Sequence, residues 1–95
     1  MVEPSANSAA DEPLAAEWNA RLGEAIQARR VAQGLSSAEL AALIGVHRTA
    51  MWRIEAGQRT MSWVLLVQLS DALGAPLDAL LAEAHIPRVR PATDR

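Results

Sequence analysis

The feature that most constrains the fold of this chain is a pair of short helical patterns that meet at Gly45. The first pattern carries an apolar stripe at helical spacing, which consists of Leu40, Leu43 and Ile44. The second pattern covers about residues 47–56 and turns Met51 and Ile54 inward. Glycine ends the first helix because it adopts a positive φ without steric cost. The sequence therefore predicts two helices joined by a tight turn, an arrangement in which the second helix can enter the major groove of DNA.

Three further helical patterns surround this pair. Helix 1 is predicted to start at Asp11-Glu12-Pro13 and to end at Gly34, and its apolar stripe consists of Leu14, Trp18, Leu22 and Ile26. Ser62 is predicted to cap helix 4, and Pro76 to start helix 5. The leucines expected to face the core from these two helices are Leu65, Leu66, Leu69, Leu73, Leu77, Leu80 and Leu81. No stretch alternates with a period of two, so we expect an all-α protein, a compact bundle of five short helices without strands.

Charge and composition divide the chain into three parts. Residues 1–12 are predicted to form a disordered acidic tail, and residues 87–95 an extended tail rich in arginine and proline. Residues 13–86 are left as the folded domain. The net charge of the chain is −2, but residues 18–61 carry six arginines against three glutamates, a local net charge of +3. Positive charge on the two-helix unit is what contact with phosphate requires.

The sequence gives little support to a metal-binding protein, a membrane protein or an enzyme. The chain has no cysteine, and its two histidines are far apart in sequence, so we expect neither a disulfide nor a metal site. No apolar run reaches the ~18 residues of a membrane span, and the N-terminus lacks the features of a secretory signal, so we expect a cytoplasmic protein without a membrane partner. We find no nucleophile–base pair, usable carboxylate pair or phosphate-cradling glycine loop, so we expect neither an enzyme nor a cofactor.

Six short motifs follow one another in a characteristic order within residues 22–81. They are Gly34-Leu35-Ser36, Glu39-Leu40-Ala41, Gly45-Val46, Ile54-Glu55-x-Gly57, Gly57-x-Arg59 and Ala72-Leu73-Gly74-x-Pro76. Each motif is weak alone, but their order and spacing together make residues 22–81 resemble the lambda-repressor-like, or Xre-type, helix-turn-helix family of bacterial and phage regulators. The resemblance implies that helix 3 is the recognition helix and that helix 2 crosses the sugar-phosphate backbone of double-stranded DNA.

The candidate base-reading residues lie on the outer side of helix 3. With Met51 inward, a rotation of 100° per residue sends Thr49 and Arg53 nearly opposite to it. Arg48 and Arg53 can each pair bidentately with a guanine edge, and Thr49 offers a hydroxyl and a methyl group. Trp52 has three possible roles: it packs against thymine methyls or sugars, it folds back to widen the core, or it contacts a protein.

Contacts with the DNA backbone are expected from residues beside helix 3. Ser36 or Ser37 caps helix 2, with Glu39 at capping-box distance from Ser36, and the amides and hydroxyls of both serines can hold a phosphate. His47 stands where the family has a hydroxyl or acid as the cap of helix 3, and it can also reach a phosphate. The resemblance implies a phosphate contact for Arg59.

The resemblance also implies an ion pair between Arg30 and Glu55 that braces helix 1 against helix 3. This pair is expected to have a structural role and to hold the recognition helix at a fixed tilt.

Two functions from different classes remain open at this point. The first is a sequence-specific DNA-binding transcriptional regulator, a repressor that acts as a homodimer on a palindromic operator. Trp63, interpreted as core or dimer interface, and helix 5 are the candidate dimer surfaces. The alternative is an antitoxin or anti-regulator that binds a protein partner through its tails or the Trp52 surface. Loss of DNA binding in Arg53→Ala, with the fold intact, would distinguish the first from the second.

Overall fold

A computed structural model describes residues 4–86, with their side chains from residue 14 onward. The chain forms five helices over this range, with no strand between residues 4 and 86. Their bounds are α1 Pro4–Ala32, α2 Ser37–Ile44, α3 Arg48–Glu55, α4 Trp63–Ala72 and α5 Leu77–Glu83. The predicted all-α fold with five helices is confirmed. α1 packs against α3 and α5, while α2 packs against α3 and α4.

The first helix begins earlier than the sequence predicted. α1 starts at Pro4, so the predicted start at Asp11-Glu12-Pro13 was wrong, and residues 4–12, expected to be disordered, are helical. Three of residues 4–12 are alanine, the strongest helix former. Pro13 lacks a backbone N–H donor, but it lies inside α1 and does not begin it. Residues 1–3 and the predicted tail at residues 87–95 lie outside the described range.

The second and fourth helices begin with side-chain caps that the sequence predicted. The Ser36 hydroxyl accepts a hydrogen bond from the Glu39 amide at 3.0 Å, and the Ser36 amide donates to the Glu39 carboxylate at 2.7 Å, which completes a capping box. The Ser62 hydroxyl accepts a hydrogen bond from the Leu65 amide at 3.1 Å. Gly45 ends α2 with a φ of 72°, as the turn between the two helices requires.

The core lies where all five helices converge. Its fully buried large side chains are Ile26, Leu40, Met51, Ile54, Leu69, Leu73 and Leu80. Leu43, expected in the core, was placed wrongly and is 61% exposed. The buried arc of α2 is centred on Leu40, Ile44 and the small Ala41, so Leu43 lies on the opposite edge. Leu14 is also exposed, and Leu66, Leu77 and Leu81 are only half-buried.

No single helix between residues 4 and 86 has both the length and the apolarity to cross a membrane. α4 and α5 meet those criteria only when taken together as a pair bent by 95°.

Candidate nucleic-acid interface

The turn between α2 and α3 sets the direction in which the third helix leaves the second. The Val46 amide donates to the Ala41 carbonyl at 3.0 Å, which folds the chain back after Gly45. His47 follows and caps α3 with its side chain, because its Nδ1 accepts a hydrogen bond from the Thr49 amide at 3.0 Å. Because Nδ1 acts as the acceptor, Nε2 is the ring nitrogen that can donate to a ligand, and the residue is exposed.

The exposed side of α3 carries four side chains of the predicted interface. Met51 and Ile54 are fully buried, whereas the exposed residues of the helix include Arg48, Thr49, Trp52 and Arg53. Trp52 is 59% exposed, so the interpretation in which it widens the core was wrong. Arg48, Thr49 and Trp52 line an open groove of about 420 Å³ together with Ser37 of α2. Arg53 does not line this groove, but it projects from the same outer face, about 40° around the helix from Thr49.

The arginines of the domain fall into two groups according to their partners. Those of α1 are compensated: Arg21 pairs with Glu17, Arg29 with Glu83 and Arg30 with Glu55. Among the side chains of residues 14–86, no carboxylate forms an ion pair with Arg48, Arg53 or Arg59, and all three are exposed. The uncompensated positive charge therefore lies on α3 and on the loop that follows it.

The residues expected to contact phosphate differ in their burial and in the hydrogen bonds they already make. The amide and hydroxyl of Ser36 are both used by Glu39, and the Ser36 amide lowers the pKa of the Glu39 carboxyl by hydrogen bonding to it. A carboxylate thus occupies the end of α2 where an anion was expected, which opposes a phosphate contact from Ser36. Ser37 is half-buried beside the groove, and Arg59 is exposed.

The loop between α3 and α4 is anchored at both sides of Arg59. The Asn19 amide nitrogen donates to the Thr60 hydroxyl at 3.1 Å, and Met61 is buried in the core. Gly57 adopts a φ of 75° and lies so close to α1 that a Cβ atom there would be 2.6 Å from the Ala20 Cα. These contacts hold the loop against α1 and so limit where Arg59 can reach.

The C-terminal end of α3 is fixed to α1 by a bidentate ion pair. Arg30 Nε donates to Glu55 Oε2 at 2.7 Å, and Arg30 Nη2 donates to Glu55 Oε1 at 3.0 Å. A third bond runs from Arg30 Nη1 to the Leu35 carbonyl at 2.8 Å. The side chains are only 13% and 9% exposed, and the hydrogen bonds to the Glu55 carboxylate raise the pKa of Arg30. The pair therefore links α1, the α1–α2 turn and α3.

A close approach of α1 to α3 at Gly23 was missed in the sequence. A Cβ atom at this position would lie 2.5 Å from the Glu55 carbonyl oxygen and 2.6 Å from that of Ile54. Glycine is thus needed for the two helices to pack this closely. The available signal was an isolated glycine inside an otherwise helical pattern, which often has a packing reason.

The fold and the exposed third helix together define a helix-turn-helix protein. The helix-turn-helix domain model matches residues 21–84, and the chain belongs to this family. No curated protein matches the chain.

Solved structures of regulators resemble this fold. The clp gene regulator ClgR from Corynebacterium glutamicum has a TM-score of 0.70 and 31% identity, over 72% of this chain and 72% of that chain. The restriction-modification controller protein C.AhdI from Aeromonas hydrophila has a TM-score of 0.62 and 34% identity, over 64% of this chain and 92% of that chain. A transcriptional regulator of the HTH_3 family from Vibrio cholerae has a TM-score of 0.66 over 72% of this chain and 38% of that chain, and at 24% identity it shows the shared fold alone.

Proposed function

We propose that this protein is a DNA-binding transcriptional regulator, and that it acts as a repressor that binds a palindromic operator as a homodimer. The observation that carries the proposal is the exposed face of α3, on which Arg48, Thr49 and Arg53 project away from the core without a carboxylate partner among residues 14–86. A short helix with this surface fits the major groove. The similarity to ClgR and C.AhdI, described as a gene regulator and a controller protein, supports the same role.

Each residue of the interface has a proposed part in recognition. Arg48 and Arg53 each pair bidentately with the O6 and N7 of a guanine, and Thr49 contacts a base edge between them. His47 donates its Nε2 proton to a phosphate, while its Nδ1 keeps the cap of α3. Ser37 and Arg59 contact the backbone from either side of the helix. Ser36 is the weakest of the proposed contacts because Glu39 already occupies its polar atoms.

A dimer is proposed because one domain of this size reads only a few base pairs, and two half-sites about 34 Å apart give useful specificity. Trp63 is 68% exposed, so the interpretation that it lies in the core was wrong. We propose the other interpretation, in which it lies in the dimer interface. Val64 and Val67 extend its apolar surface along α4. α5 is the weaker candidate, since Leu80 is fully buried within its own subunit.

Selection of binding sites from random duplexes, at two salt concentrations, tests the proposal. We expect an enriched palindrome, and affinity that falls steeply as salt rises because binding releases counterions from phosphate. Arg53→Ala should abolish selective binding while circular dichroism shows an intact fold. Arg21→Ala is the matched control, since it removes the same charge from an exposed ion pair on α1 and should bind normally.

Two outcomes would contradict the proposal. If no sequence is enriched and Arg53→Ala changes nothing, the antitoxin or anti-regulator alternative is favoured, in which the Trp52 surface binds a protein. A single enriched half-site without symmetry would refute the dimer but not DNA binding. A reporter with the selected operator placed over a promoter then separates repression from activation.

A further inference from the structure

Trp52 is an exposed aromatic side chain next to polar and charged residues of α3. It is 59% exposed, and the residues beside it on the outer face of α3 are Arg48, Thr49 and Arg53. Covering a large exposed apolar ring with a ligand is favourable, since each Å² of apolar area removed from water stabilises the complex by about 25 cal/mol. The surface therefore favours a ligand with an apolar group next to groups that bind arginine.

The groove at Trp52 has the composition that such a ligand requires. It is lined mostly by apolar atoms and is open to solvent, with the Thr49 side chain and the Trp52 ring on α3 and Ser37 on α2. Arg48, which also lines the groove, has no ion-pair partner among residues 14–86. A polyanion that presents a small apolar group matches this combination of charge and apolar lining.

We infer that the Trp52–Thr49 wall of this groove binds the 5-methyl group of a pyrimidine, and that Trp52 is thereby a specificity-determining residue for thymine. This inference rests on the proposed binding of DNA by α3. The 5-methyl group of thymine is the apolar group that the bases present in the major groove, where guanine offers two acceptors to arginine. With Arg48 on the same side of the helix, the groove reads a thymine close to the guanine bound by Arg48.

The expected size of the effect follows from the area of one methyl group. Burying one such group changes affinity by about fourfold, equivalent to about 0.8 kcal/mol. Replacement of thymine by deoxyuridine removes this methyl group and leaves the base-pairing edge unchanged. Deoxyuridine at the contacted position of one half-site should therefore weaken binding by about fourfold, and deoxyuridine in both half-sites by about sixteenfold.

The experiment compares the selected operator with versions in which each thymine in turn is replaced by deoxyuridine. We expect one position in each half-site to be sensitive. Trp52→Ala should bind the thymine and deoxyuridine forms equally, whereas Trp52→Phe should retain part of the discrimination. Val31→Ala is the control, because it removes an exposed apolar side chain of α1 that has no proposed part in DNA contact or dimerisation, and it should leave both the affinity and the ratio unchanged.

The outcomes separate this inference from the proposed function. If an operator is selected but deoxyuridine weakens binding nowhere, the inference is wrong and DNA binding stands. Equal loss of affinity for both forms in Trp52→Ala, with the ratio of about four preserved, would also overturn it, because another residue would then read the methyl group. If no operator is selected at all, the proposed function fails and this inference fails with it.

Discussion

Replacement of Gly23 by alanine tests whether α1 and α3 are packed as closely as the structure shows. Gly23 lies inside α1, where alanine would normally stabilise the helix by about 1 kcal/mol. The added methyl group would instead lie 2.5 Å from the Glu55 carbonyl oxygen and 2.6 Å from the Ile54 carbonyl oxygen. Both are backbone atoms at the C-terminal end of α3, so a change of side-chain rotamer cannot move either of them away.

The balance of these two effects gives the expected magnitude. Overpacking in a well-packed interface costs about 1–3 kcal/mol, and the contacts here are at the severe end. After the gain in helix propensity is subtracted, we expect Gly23→Ala to lower the free energy of unfolding by about 1–2 kcal/mol. For a domain of this size the melting temperature should fall by about 4–8 °C for each kcal/mol. The displaced α3 should also bind the operator more weakly.

Thermal unfolding followed by circular dichroism, together with operator binding, measures both effects. Gly34→Ala is a suitable control, because Gly34 has a φ of 72° and a Cβ atom there would meet nothing within 4 Å. It should destabilise the protein by about 1 kcal/mol through backbone strain alone and leave operator affinity unchanged. An increase in melting temperature for Gly23→Ala would refute the close packing, since helix propensity would then be the only effect.

Two further predictions concern the ion pair and the capping box. Glu55→Ala should lower the free energy of unfolding by about 2–3 kcal/mol, less than for a fully buried pair, because Arg30 is left unpaired but 13% exposed. The double variant Arg30→Met with Glu55→Leu should lose less stability than this in urea unfolding. A loss equal to the sum of the losses for Arg30→Met and Glu55→Leu measured singly would contradict the coupling. Because the pKa of Glu39 is lowered in the folded state, its charge stabilises the protein above the ordinary carboxyl pKa of about 4.3, and this contribution is lost as the pH falls through the lower folded value. The urea midpoint of the wild type should therefore approach that of Glu39→Gln as the pH is lowered below about 4.3, and a constant difference would show that Glu39 is not the titrating group.

The sequence predicted the helices best where a side chain or a glycine marks their ends. Ser36 with Glu39, Ser62 and Gly45 each act locally, within three or four residues, so their effect does not depend on the rest of the fold. The resemblance to a known family also anticipated the pairing of Arg30 with Glu55, which residue patterns alone could not reveal because the two lie on different helices.

Side-chain orientation on short helices was predicted less well. α2 has only eight residues, and two turns do not determine whether its buried arc is centred toward Leu43 or toward Ala41. Packing against α3 and α4 selects the side with the small alanine, and Leu43 is left exposed. The same limit applies to Trp63, whose exposure depends on the angle at which α4 packs and not on its spacing from the leucines.

The two ends of the third helix are held by different contacts. Glu55 and the carbonyl of Ile54 contact α1 through Arg30 and Gly23, and Gly57 extends the contact beyond the helix. Arg48 and Thr49 lie at the other end, where His47 and the α2–α3 turn are the local supports. Because the contacts with α1 set the tilt of the whole helix, substitutions of Gly23, Arg30 or Glu55 should weaken every base contact together. Substitutions of the exposed Arg48, Thr49 or Arg53 should instead change single base preferences, with the melting temperature little altered.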